Sequence, residues 1–136
     1  MKRIIIIVCI FPLYVLASPI EDFSEISAMY LGTCVATEKL KSQYCPKSSA
    51  ASPNSCITQI VDLLPIRHRK EFLSILKEQF SMIETESSLG VKRGFVKVMG
   101  LFNNDSEKAC ISYGSSLNTM KYEKYQQLKL ISNQIR

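Results

Sequence analysis

The chain has 136 residues, of which 17 are basic, 12 are acidic and one is histidine, for a formal charge of +5. That length suits one domain. The basic excess is too mild for a nucleic-acid surface, there is no tryptophan, and the bases are not interleaved with an aromatic platform.

The first element is read as a targeting segment. Lys2 and Arg3 form a short positive start, residues 4–16 are almost wholly apolar, and Val15-Leu16-Ala17 offers the small-residue pattern of a signal-peptidase site. The apolar run is about 13 residues, short of the roughly 20 that a spanning helix needs, and Pro12 interrupts it. Cys9 is not placed at the cut, which argues against a lipid anchor. The expectation is cleavage after Ala17 and a mature chain, Ser18 to Arg136, that is periplasmic or secreted. Removing 17 residues leaves 119 and takes the charge to +3. No later segment reaches spanning length, so no stable membrane insertion is expected.

The mature chain reads as helix after helix. From about Asp22 to Lys41, Phe23, Ile26, Tyr30 and Cys34 fall on one stripe at three- and four-residue steps. Residues 45–55, rich in Ser, Pro and Ala, form a loop. Asn54 or Ser55 then caps a short apolar helix, Cys56 to Leu64, which Pro65 either ends or kinks. A clear amphipathic helix follows from Ile66 to about Thr85, with Phe72, Leu76, Phe80 and Ile83 on one face. A further segment, Val91 to Phe102, carries Gly94 and Gly100 and is preceded by Gly90. Those glycines weaken it as a helix, allow close helix packing, or leave the segment partly extended. Asn103-Asn104-Asp105-Ser106 is a turn and cap cluster, and its last three residues also match a glycosylation sequon; the cap reading is preferred. A last helix runs from Ser106 or Glu107 to Ser132. The expected fold is all-α, an irregular bundle of four to five helices in one domain, residues 18–136.

Four cysteines remain after cleavage: Cys34, Cys45, Cys56 and Cys110. In an exported small domain an even number reads as two disulfides. Three pairings are possible; the preferred one joins Cys45 to Cys56 locally and Cys34 to Cys110 across the bundle. No CxxC pair is present and His68 stands alone, so neither a metal nor any other cofactor is expected.

Catalysis has little to stand on. The thiols are expected to be oxidised, and there is no GxSxG, HExxH or glycine-rich phosphate loop. An enzyme is therefore not expected. Charge placement points to binding instead. Arg67, His68, Arg69 and Lys70 open the amphipathic helix, and Glu84 and Glu86 close it, so both ends oppose the helix dipole. Solvent, neighbouring helices or a kinked continuation through Pro65 can absorb that mismatch; alternatively the basic cluster faces an acidic partner. Tyr122 and Tyr125, set among Lys124 and Lys129, form a second candidate face.

A signal at Met1 to Ala17, about a hundred mature residues, helical periodicity throughout and cysteines suited to oxidation together resemble the small periplasmic immunity proteins of type VI secretion, of the helical amidase-immunity and resistance-associated types. The resemblance covers the chain in outline and carries no shared motif. It implies a protein partner, a cognate toxin whose active site is blocked, and often a homodimer. A secreted carrier of small ligands and a periplasmic stress chaperone are the alternative readings.

Overall fold

Ser18 begins the described structure and already acts on the first helix: its hydroxyl accepts from the backbone N–H of Ile20 at 3.3 Å, and Pro19 follows at the first helical position. Glu21 and Asp22 in the first turn and Lys41 in the last both suit the helix dipole. This helix, α1, spans Pro19–Gln43. In the computed structural model the described residues are 18–135; the expected signal segment and its cleavage point after Ala17 lie outside them, as does Arg136. Three more helices follow: α2 (Asn54–Val61), α3 (Ile66–Leu101) and α4 (Ser106–Ser132), and no strand occurs among the described residues.

The all-α expectation of four to five helices holds, with four among the described residues. The expected break between Thr85 and Val91 does not occur, and α3 runs unbroken for 36 residues, about 54 Å. A helical glycine costs only about 1 kcal/mol relative to alanine. Burial of Val91 and Phe95 at 1% and 8% exposure outweighs that cost on the inner face. Pro65 has extended backbone (ψ 146°), so α2 and α3 are separate helices and the kinked continuation is not formed. The hairpin into α4 is built by Asn103 and Asn104, both left-handed (φ 53° and 64°), and the Asn104 N–H returns to the Met99 carbonyl at 2.8 Å. Asp105 then caps α4, its carboxylate accepting from the Lys108 N–H at 3.2 Å.

Helix α1 is the central element. Phe23 meets Phe72 edge to face (centroids 5.4 Å apart) near its start, and Tyr44 stacks on Phe95 (4.9 Å) beyond its end, so α1 and α3 run parallel. Tyr30 packs on Tyr125 while Cys45 reaches Cys110, so α1 and α4 run antiparallel. Two apolar clusters result. One gathers Phe23, Tyr30, Leu31, Ile60, Leu64, Phe72, Leu76 and Leu128; the other gathers Leu40, Val91, Phe95, Ala109 and Leu117.

Each cluster holds one disulfide, and the pairing differs from the expected one: Cys34 bonds Cys56, and Cys45 bonds Cys110. The reason is distance along α1. Eleven residues separate Cys34 from Cys45, about 16 Å of helix rise. Cys56, in the first turn of α2, docks beside the middle of α1, where Cys34 faces the core. Cys45 lies past the end of α1, where α4 begins. The loop between Cys45 and Cys56 is held by a buried carboxylate instead: Glu38, 6% exposed, accepts from the Ala51 N–H at 2.6 Å and sits 3.8 Å from Lys41.

Candidate binding surface

The residues singled out by charge do not converge. Arg67 and Lys70 are exposed near the start of α3, and the Arg67 Nε–H donates to His68 Nε2 at 3.1 Å. Arg69 turns back instead. Its Nε–H donates to the Leu64 carbonyl at 2.9 Å and its Nη2–H to the Asp62 carbonyl at 3.3 Å, in the turn beyond α2 and at its C-cap. The base at the start of α3 thus meets the negative end of α2, which answers the dipole mismatch within the chain. At the other end the mismatch does not arise, because α3 continues to Leu101 and leaves Glu84 and Glu86 mid-helix. Glu84 pairs with Lys39 of α1 at 3.4 Å; Glu86 is exposed.

Tyr122 and Tyr125 are brought together with Tyr30, which periodicity assigned to the core, and with polar residues that the sequence did not single out. A shallow hollow of about 360 Å³ is lined by Tyr30 of α1, Gln59 of α2, and Asn118, Lys121, Tyr122 and Tyr125 of α4. Tyr30 is 2% exposed, and its hydroxyl donates to Gln59 Oε1. The half-buried Tyr125 ring lies 5.7 Å from it, and Lys129 Nζ stands 6.0 Å from the Tyr125 centroid. Tyr122 is 63% exposed at the rim. The hollow therefore has a rigid aromatic floor, an amide on one wall, and an exposed tyrosine and a lysine on its lip. Tyr30 lay on the apolar stripe of α1, so its ring was legible as core. A buried phenol also needs a mate for its hydroxyl, but the sequence could not say that Gln59 supplies it.

The floor is not poised for acid–base work. Burial, and then the neighbouring Tyr125 and Glu38, push the Tyr30 phenol up to about 12 from its ordinary 10. It stays a neutral donor at physiological pH. An unfolded chain releases this proton near 10 and the folded one near 12, so the stability it contributes is intact below 10 and is lost as the pH climbs from 10 to about 12. A phenolate absorbance titration should show a late-ionising tyrosine that disappears in Tyr30→Phe. A titration curve unchanged by that substitution would place the buried phenol elsewhere. Burial also raises Tyr113.

A second hollow lies at the Cys45–Cys110 bond, between the chain after α1 and the first turns of α4, with Tyr44, Pro46 and Ile111 on its walls. All four described cysteines are in disulfides, so none among the described residues offers His68 a thiolate. No three His, Cys, Asp or Glu side chains come together as a metal set among the described residues, and no described helix is long and apolar enough to cross a membrane. No protein-family model matches this chain, no curated protein matches it in sequence, and no solved structure matches it in fold.

Proposed function

We propose that the protein is an exported immunity or inhibitor protein that binds and blocks a toxic effector enzyme, using the tyrosine-lined hollow of α4 as its contact surface. The observation that carries this reading is the exposed Tyr122 on a rigid floor of Tyr30 and Tyr125, with Lys121 beside it. Tyrosines of this kind supply large contact area at little entropic cost, and the lysines steer association with an acidic surface. Two disulfides suit an oxidising compartment, where such a protein would meet its target. Blocking requires a stable scaffold and one complementary face, without chemistry of its own.

An immunity gene should sit beside that of its toxin, so the product of an adjacent gene is the first target to try. Directed to the periplasm it should be toxic, and co-expression of this protein should protect. Tyr122→Ala combined with Lys121→Glu should abolish protection and weaken binding by about a hundredfold, since an aromatic anchor and a charge reversal are lost together. The thermal melt should not move, because Tyr122 is exposed at the rim and Lys121 only half-buried. Native mass spectrometry of the protein from the periplasm gives the opposing outcomes: a retained small molecule would favour a carrier, and many heterogeneous clients a chaperone.

A further inference from the structure

The outer face of α3 carries an apolar stripe that no other described residue covers. Met82, Leu89 and Val96 recur every seven residues and are 61%, 50% and 65% exposed. At helical spacing they fall within about 20° of one line. Two charges share one flank of that line, Glu86 before Leu89 and Arg93 after it; Thr85 and Lys92 occupy the other flank. Glu86 and Arg93 have no opposite charge three or four residues away on α3, where a helix would place an ion-pair mate. Neither forms an ion pair among the described residues.

We propose that this stripe seats the same stripe of a second copy of the chain, antiparallel, about a two-fold axis at Leu89. The register follows from the geometry. A two-fold perpendicular to both helices carries each flank onto the same flank of the other copy and reverses its order. Leu89 then packs on Leu89, Met82 meets Val96, and Glu86 faces Arg93 twice. A parallel pairing would instead set Arg93 against Lys92 of the second copy, like charge on like. The interface is isologous and closes at two copies. Its roughly four helical turns span about 21 Å, so it lies at the small end of specific interfaces and its dissociation constant should be of micromolar order or weaker. The tyrosine hollow is bounded by α1, α2 and α4, so the dimer leaves it open and the two proposals stand or fall separately.

Sedimentation equilibrium on the oxidised protein, from micromolar to near-millimolar concentration, tests this. The protein should associate to a dimer. Glu86→Arg alone and Arg93→Glu alone should each raise the dissociation constant at least about tenfold, since each creates two like-charge contacts. Glu86→Arg combined with Arg93→Glu should restore it to within a few-fold. Thermal melts at low concentration should be unchanged for all three, because both side chains are exposed. A protein that stays monomeric throughout, or a dimer indifferent to both reversals, would overturn the proposal.

Discussion

Replacing Cys45 and Cys110 together by alanine should lower the free energy of unfolding by about 4 kcal/mol, and the same change at Cys34 and Cys56 by about 3 kcal/mol. The difference follows from the loops, since the first bond joins residues 65 apart in sequence and the second joins residues 22 apart. Either loss is a large part of the 5–15 kcal/mol that a domain typically has. The Cys45–Cys110 bond is also placed where it does most, tying the chain after α1 to the first turns of α4, in the smaller of the two apolar clusters. The melting temperature of the Cys45/Cys110 double variant should fall by roughly 10–20 °C. Non-reduced peptide mapping of the native protein should recover the two interleaved links. A Cys45–Cys56 link would mean that the loop after α1 closes on itself and that Cys34 is left as the partner for Cys110, the pairing that sequence proximity favoured.

What the sequence made legible was local. The apolar stripe identified α1 from about Asp22, though Ser18 and Pro19 carry its start three residues further back, and the turn and cap residues Asn103 through Ser106 located the start of α4. The cysteine pairing was not legible, because it depends on where α2 lands along α1, and neighbours in sequence were the wrong guide. Charge at the far end of the Ile66–Thr85 segment suggested an unmet dipole only because the helix was expected to stop early. Once α3 runs to Leu101, Glu84 is simply the mate of Lys39. Of the candidate surface, Tyr122 and Tyr125 were visible as aromatics among lysines. Tyr30 and Gln59 were not, since nothing in their spacing tells that two different helices set them side by side. The outward stripe at Met82, Leu89 and Val96 was hidden for the same reason as the helix itself: it crosses the glycines that seemed to divide the segment.

Those glycines give the second large effect. Gly90→Ala should stabilise the protein by up to about 1 kcal/mol, and Gly94→Ala should destabilise it by about 1–3 kcal/mol. The two sites lie one turn apart on the same helix, so intrinsic propensity rewards both substitutions alike. Their surroundings separate them. A Cβ at position 90 would meet nothing within 4 Å, whereas one at position 94 would lie 2.6 Å from Tyr113 Cζ and 2.7 Å from its Cε2. Real contacts of that kind are not made, so the ring would have to leave its place between α3 and α4. Tyr113 packs against the cluster of Leu40, Phe95 and Leu117, so its displacement opens that core as well. Gly94 is therefore a position where α4 passes close to α3, and Gly90 a position where the helix accepts a side chain freely. Thermal melts of the two single variants should diverge in opposite directions from the parent. Equal stabilisation by both would show that Tyr113 moves aside at little cost and that the α3–α4 contact is looser than its geometry indicates.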